Sequence, residues 1–574
     1  MQNFTLSKQF FKDVWYLTKS YWQSEEKKKA FGLLFCIISL TLAIVYMLVL
    51  LNRWNNSFYG ALQNYQTDLI FDELFRFTYL AFIYIILAVY SYYLQQVLIL
   101  NWRRWLTERF IEIWMKNKTY YHLQMFGKDT DNPDQRISED VRLFVEMTLS
   151  FGVGLLKSVT TLASFVVILY ELSGPLKFNL FGQDWEISGY LFWAAFFYSI
   201  LGTWVTHLVG RKLVKLNFIQ QRYEADFRFS MIRLRESSES VAFYRGEAQE
   251  GKVFKERFNL LLENFWKIVT KQKQLVWLNS GYSQIAIIFP FVAAMNRYLA
   301  KEFTLGGLMQ VASAFGRVQD SLSYFADTYA SLATWQSVVM RLTYFGRHMQ
   351  EVSKDAERFN LERFVVGGEV SAEDMQVDLP DGTPLLQNIN FTLKPGSNVL
   401  IKGVSGSGKS TLLRAIAGIW PFVNGKIAMP EQNDLMFIPQ KPYLPLGSLR
   451  EALLYPGTKP LSDAEIIALM EMCQIGYLQD KLDVVADWSH VLSVGEQQRL
   501  AFVRAHIQQP AWLFLDEATS ALDEDTEAKM YILVGERLAN TTIVSIGHRS
   551  TLNKYHELVL QLDKEAKSVT LTSA

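Results

Sequence analysis

Cysteine is almost missing from this sequence of 574 residues, which has two. Cys36 lies inside an apolar run and Cys473 far off in the polar half, neither beside other metal-ligating side chains. A disulfide framework and a thiolate metal centre are therefore excluded, and both cysteines read as packing residues. An excess of charge of one sign is missing too, since 57 basic residues offset 57 acidic ones. Nothing global then points to nucleic acid or to a strongly acidic partner. No small-residue cleavage pattern follows the first apolar run, which Lys27, Lys28 and Lys29 precede, so that run is expected to remain as an anchor. Long apolar runs stop at about residue 335, after which charged residues spread evenly. The chain exceeds what one hydrophobic core serves, and the contrast splits it into a membrane half and a water-soluble half.

What the first half does have is apolar length. A bilayer core takes about 20 apolar residues as helix, and six segments qualify: 30–51, 77–100, 148–172, 190–210, 276–298 and 305–332. The sixth contains Arg317, Asp320 and Asp327, and is included because it makes the number of crossings even. Lys and Arg stay preferentially on the cytoplasmic side. They crowd the N-terminus, the 101–147 segment and the 211–275 segment, and thin out in 52–76, 173–189 and 299–304. Both termini are thus expected in the cytoplasm. The two basic segments carry apolar residues at helical spacing, as at Tyr223 and Phe227, and predict helices that continue past the membrane. The expected organisation is an all-α transmembrane domain over 1–340, a charged linker over 341–364 and a cytoplasmic α/β nucleotide-binding domain over 365–574.

The second half carries specific chemistry. Strand signals at 389–394 and 398–402 lead into Gly403-Val404-Ser405-Gly406-Ser407-Gly408-Lys409-Ser410-Thr411, which opens an amphipathic helix. This is the pattern of a phosphate-binding loop: glycines turn backbone N–H groups inward, and the helix N-terminus adds partial positive charge. Lys409 would reach the outer phosphates and the Ser410 hydroxyl would ligate Mg²⁺. Phosphoryl transfer to water also needs a second metal anchor and a group to orient the nucleophile. Trp512-Leu513-Phe514-Leu515-Asp516-Glu517, an apolar strand ending in two acids, supplies Asp516 for the metal and Glu517 for the water.

Leu492-Ser493-Val494-Gly495-Glu496-Gln497-Gln498-Arg499 resembles the signature motif of the ABC ATPases. Gln440 resembles their Q-loop glutamine, Ser520-Ala521-Leu522-Asp523 their D-loop, and His548 their switch histidine, all in family order. The resemblance implies ATP with Mg²⁺ as the bound nucleotide. It gives Gln440, with Ser410 and Asp516, a place at the metal, and Glu517, His548 and Gln440 a place in catalysis. Ser493, Gly495 and Glu496 would cap ATP held by a second subunit. Two departures stand out. Val494 and Glu496 replace a glycine and a glutamine of the usual signature, and no aromatic residue lies between Phe364 and Phe391 to stack on adenine, where Asp378 or Leu379 falls instead.

In the membrane half, Asn132-Pro133-Asp134-Gln135-Arg136 through Val141, and Glu224-Ala225-Asp226-Phe227-Arg228, resemble motifs of peroxisomal fatty-acyl half-transporters and their bacterial relatives. Tyr21-Trp22-Gln23-Ser24-Glu25-Glu26-Lys27 and Trp102-Arg103-Arg104-Trp105 resemble the bacterial SbmA/BacA-like branch fused to an ATPase. That resemblance implies exporter-type architecture, a homodimer in the lipid of the bacterial inner membrane, and transport of a hydrophilic small molecule or peptide such as cobalamin, bleomycin or an antimicrobial peptide, in the import direction. A lipid or fatty-acyl cargo, and a regulatory ATPase without cargo, remain open. Arg317, Asp320 and Asp327 share one helical face and are the candidate lining of a polar pathway, because such groups avoid lipid. The two long basic segments are expected to end in short helices that meet the ATPase near Gln440.

Overall fold

In the computed structural model, residues 8–126, 132–180, 183–302, 304–356, 361–365, 367–457 and 459–573 are described. They form two units, one of Met1–Glu112 with Asp131–Gly346 and the other of Ile113–Thr130 with Arg347–Ala574.

The first unit is helical. It contains α1 (Lys8–Trp22), α2 (Lys27–Gln63) and most of α3 (Thr67–Met115), and a short helix, α4 (Thr119–Phe126), follows α3 in the chain. Further along come α5 (Val141–Ser173), α6 (Tyr190–Glu236), α7 (Ser238–Tyr244), α8 (Glu247–Leu299) and α9 (Leu305–Ala356). Each of the six apolar segments falls inside one long helix, α2, α3, α5, α6, α8 or α9. Among the described residues, Lys27–Gln63, Thr67–Phe126, Pro133–Ser173 and Glu247–Met295 are long and apolar enough to cross a membrane, and Tyr190–Thr206 is a shorter apolar helix. Helix α9, with Arg317, Asp320 and Asp327 among other polar residues, is not in that set. Helices of 47 and 53 residues, α6 and α8, are more than twice what a bilayer needs.

Leu48, Phe165, Leu169, Leu191, Ala294, Val311 and Phe315 form a core shared by α2, α5, α6, α8 and α9. Two polar side chains are buried between α2 and α9, where Asn52 Nδ2 donates to the Gln310 carbonyl (3.0 Å) and Gln310 Nε2 donates to Asn52 Oδ1 (3.2 Å). The helices meet closely there, because a Cβ at Gly306 would collide with the Asn56 carbonyl oxygen. Before α5 a single π-helical turn, Arg136–Asp140, buries Asp140. Its carboxylate accepts from Arg136 Nη1 at 2.6 Å and from Arg341 Nε and Nη2 at 2.8 and 2.6 Å, so α9 is ion-paired to the base of α5. The long helices α6 and α8 pack along their length, with Tyr198 stacked on Tyr282 (4.3 Å) and Asn264 Nδ2 donating to the Leu216 carbonyl (3.0 Å). An antiparallel hairpin, β1 (Pro175–Leu180) and β2 (Gln183–Ser188), joins α5 to α6 where only a connecting segment was expected. Cys36 is exposed on α2 rather than packed, whereas Cys473 is buried.

The second unit is α/β. Strands β3 (Leu361–Val365), β4 (Val370–Asp378), β5 (Pro384–Leu393) and β7 (Val423–Met429) make one sheet in the order β3-β7-β4-β5. The larger sheet contains β6 (Val399–Lys402), β8 (Leu435–Ile438), β9 (Trp512–Asp516), β10 (Thr542–Ile546), β11 (Leu558–Asp563) and β12 (Ser568–Ser573). Its order is β12-β11-β6-β10-β9-β8, parallel except for the edge strand β12. Strands covered on both faces read as unbroken apolar runs, and β9 and β10 do so, with Leu513, Phe514, Ile543 and Val544 buried.

Helix α4 also belongs to this unit, with Met125 and Phe126 packed on its core and the Phe126 ring 4.7 Å from Phe422. The short helix of the 101–147 segment thus meets the second unit at residues 418–422, where Gln440 was the expected contact. The cause is chemical: Phe126 seeks an apolar cluster, and Gln440 is exposed. In the 211–275 segment the short helix is α7, which lies in the first unit and exposes Phe243 and Tyr244.

Candidate functional site

Parallel α/β sheets gather their working groups outside the carboxyl ends of the strands, and here four adjacent strands, β6, β10, β9 and β8, contribute. Strand β6 runs into the glycine-rich loop, which feeds α10 (Lys409–Ile416). Gly406 and Gly408 have φ of 75° and 94°, a left-handed backbone that favours glycine. Lys409 is 7 % exposed and folds back over the loop, its Nζ donating to the carbonyls of Gly403 (2.8 Å) and Val404 (3.2 Å). Burial lowers its pKa against the pull of Glu517 and Asp516. Ser405, Gly406 and Ser407 complete the loop. Ser407 is buried, with its N–H donating to the Val404 carbonyl, and Thr411 is half-buried in the first turn of α10.

Strand β9 delivers the two acids. Ser410 Oγ donates to Asp516 Oδ1 at 2.9 Å, which joins the first turn of α10 to the end of β9. Burial raises the Asp516 pKa, partly offset by the Ser410 hydrogen bond. The next residue, Glu517, has φ 50°, sparsely populated for a side chain of this size. Its two oxygens meet two different loops, as Gln440 Nε2 donates to Oε2 (3.1 Å) and His548 Nε2 lies 3.2 Å from Oε1. Gln440 follows β8 and His548 follows β10, so three strand ends bring these groups together although 108 positions separate the outer pair in sequence.

The signature segment opens α11 (Val494–Gln508). Ser493 and Glu496 form a capping box in which the Glu496 carboxylate accepts from the Ser493 N–H (2.7 Å), while Ser493 Oγ accepts from the Glu496 N–H (3.4 Å). Tyr477 OH also donates to Glu496. Burial would raise the Glu496 pKa, but the bonds from Ser493 and Tyr477 bring it below its ordinary value. Gly495 leaves no room for a side chain, since a Cβ there would stand 3.0 Å from the Ala521 carbonyl oxygen. Gln498, given no role from the sequence, links two loops. Its Nε2 donates to the Gln440 carbonyl (2.9 Å), and its Oε1 accepts from the Ala521 N–H (3.0 Å). Its only signal was its place within the signature string.

Among the described residues no group of three or more His, Cys, Asp and Glu side chains is placed to hold a metal ion. The oxygens of Ser410 and Asp516, together with the Gln440 amide oxygen, are the hard donors that suit Mg²⁺, which keeps most of its waters and uses one or two protein ligands beside phosphate.

In the membrane unit Arg317 and Asp320 are exposed on α9, and the side chain of Asp327 lies outside the described residues. One further charge was missed, Lys157, exposed midway along α5. One turn before it Gly154 abuts Tyr324, whose OH donates to the Phe151 carbonyl (3.3 Å), so α5 and α9 touch at this level.

The ABC transporter transmembrane region 2 family matches residues 17–299 and the ABC transporter family residues 386–520. An uncharacterized ABC transporter ATP-binding protein of Haemophilus influenzae is 36% identical, over 96% of this chain and 93% of its own. The inner membrane ABC transporter ATP-binding protein YddA of Escherichia coli is 32% identical over 93% and 94%, and the lysosomal cobalamin transporter ABCD4 of Homo sapiens 29% identical over 94% and 92%. A solved bacterial Atm1-family ABC exporter with ATP bound superposes with a TM-score of 0.71, at 19% identity and 96% coverage of both chains, a likeness of fold.

Proposed function

The chain belongs to the ABC half-transporters built on transmembrane region 2, with a helical membrane domain fused to an α/β ABC ATPase, and on that premise we propose that it imports a hydrophilic or amphipathic solute across the bacterial inner membrane as a homodimer. ATP binding and ATP-driven transport follow from the family, and half-transporter architecture implies a dimer. The inner-membrane location is the one in the name of the Escherichia coli relative. Cobalamin is the cargo in the name of the human relative, and with bleomycin-like and antimicrobial peptides it sets the proposed cargo class.

The observation that carries the hydrolytic reading is the meeting of Gln440, Glu517 and His548 beside the Ser410–Asp516 pair. Lys409 exchanges the carbonyls of Gly403 and Val404 for phosphate oxygens, which return its ammonium to a charged partner. Ser410, Asp516 and Gln440 would hold Mg²⁺, which when bound would offset the charge of the outer phosphates. Glu517 accepts a proton from the attacking water, and His548 holds the Glu517 carboxylate toward it. Ser493 and the N-terminus of α11 face the nucleotide of the second subunit, a position in which the N–H groups of a helix start bind phosphate. For the cargo, the supporting observation is the exposure of Arg317 and Asp320 on α9, since ionisable groups in a membrane domain line water-accessible paths.

Uptake of labelled cobalamin and of a labelled antimicrobial peptide into right-side-out and inside-out proteoliposomes tests this reading, with Glu517→Gln as control. ATP-dependent accumulation in one orientation, absent from the variant, is the expected result. Robust Mg²⁺-ATPase without uptake of either solute would replace it with a lipid cargo or a regulatory ATPase.

A further inference from the structure

Past Asp516↔Ile546 the ladder between β9 and β10 ends, and its last backbone contact is the Glu517 N–H to the Ile546 carbonyl (3.1 Å). His548 lies two residues further on and is half exposed, yet its ring meets Glu517 at 3.2 Å. Strand pairing does not set that distance. Behind both residues lies Glu527, in the first turn of α12 (Glu524–Arg537) and 2 % exposed.

One Glu527 oxygen, Oε2, accepts from Thr519 Oγ1 at 2.7 Å, and the other accepts from Thr551 Oγ1 at 3.0 Å. Arg549 Nη1 stands 3.5 Å from Oε2, and Arg549 Nη2 reaches the Ser520 carbonyl at 3.5 Å. Thr519 is two residues after Glu517, whereas Arg549 and Thr551 are one and three residues after His548. A single buried carboxylate thus ties the loop that carries Glu517 to the loop that carries His548. A carboxylate withdrawn from water is costly unless it is fully paired, and this one has a hydroxyl on each oxygen and a guanidinium alongside.

We propose that Glu527 is a positioning residue for ATP hydrolysis, one that holds the loops after β9 and β10 at the separation where His548 meets Glu517. It touches no nucleotide and acts through its ties to both loops. The inference rests on the reading of Glu517 and His548 as the hydrolytic pair. Its signature is kinetic: misplacing a reacting group by an ångström slows turnover without weakening substrate binding.

The test uses the full-length chain in lipid nanodiscs, with kcat and KM for Mg²⁺-ATP measured for wild type, Glu517→Gln, His548→Ala, Glu527→Gln and the double variant His548→Ala with Glu527→Gln. Glu527→Gln is expected to lower kcat about tenfold while KM stays within about threefold. In the His548→Ala background the same change should cost nothing further, because the geometry it maintains is already gone. Full kcat in Glu527→Gln, or an equal second loss in the double variant, overturns the proposal. If Glu527→Gln fails to fold, Thr551→Val removes one tie alone, and a lowered kcat at unchanged KM supports the proposal while an unchanged kcat overturns it. Turnover retained by Glu517→Gln would instead remove the hydrolytic pair itself. Silence in that variant with full activity in Glu527→Gln removes the positioning role alone.

Discussion

His548 Nε2 lies 3.2 Å from Glu517 Oε1, while the other oxygen of the same carboxylate is held by Gln440 at 3.1 Å. A carboxylate gripped on both oxygens by loops from different strands has little freedom to swing. That fixed orientation suits the proposed role of aiming a water molecule.

Glu517→Gln preserves the shape of the side chain and removes its basicity. Turnover should fall by about 10²- to 10⁴-fold with ATP still bound, measured as phosphate release beside equilibrium nucleotide binding. Unchanged phosphate release would take Glu517 out of the chemistry.

Lys409→Ala removes the one ammonium group of the loop. The Val404 carbonyl keeps the Ser407 N–H, so folding should be little affected, whereas turnover should drop by about two orders of magnitude with the loss of a hydrogen-bond donor to phosphate. A thermal melt beside the ATPase assay separates the two effects.

Asp140→Ala leaves Arg136 and Arg341 facing a gap at the junction of α5 and α9. Breaking a buried pair on one side costs about 3–5 kcal/mol, so a clear loss of thermal stability in detergent is expected. An unchanged melting temperature would show that water replaces the carboxylate at no cost.

Acid should open the Glu496 cap. With its pKa held below the ordinary 4.5, the folded state binds fewer protons here than the unfolded one. The contribution is therefore complete above the ordinary carboxylate value and is lost as pH falls through the lowered one. Glu496→Ala, which removes the acceptor of the Ser493 N–H, should destabilise the protein at neutral pH and lose that penalty in acid. A penalty that is constant with pH would contradict the cap.

Much of this could be read from the chain because the phosphate loop, the Trp512–Glu517 strand and the signature turn are each short, contiguous strings with one physical solution. Their convergence could be expected from strand ends alone. What could not be read depends on partners distant in sequence. Glu527 looks like any acid in the first turn of a helix, and only the folded loops show Thr519 and Thr551 on its two oxygens. Gln498 is similar, since its neighbours Gln440 and Ala521 lie 58 and 23 positions away. The seat of α4 beside Phe422 was missed because Phe126 carries no sign of which apolar cluster it will join. The long helices around the apolar segments were legible by apolar length, least so α9, a helix of 52 residues that carries Arg317, Asp320 and Asp327.

The length of α6 has a mechanical consequence. At 1.5 Å per residue its 47 residues make a rod of about 70 Å, and α8 braces it along one side. Turning such a rod by about 5° about one end sweeps the other through roughly 6 Å. The tip that travels is α7, with the exposed rings of Phe243 and Tyr244. A slight change of tilt within the bilayer therefore becomes a displacement of about one helical turn at the far end, and a small rotation there is geared into a large stroke.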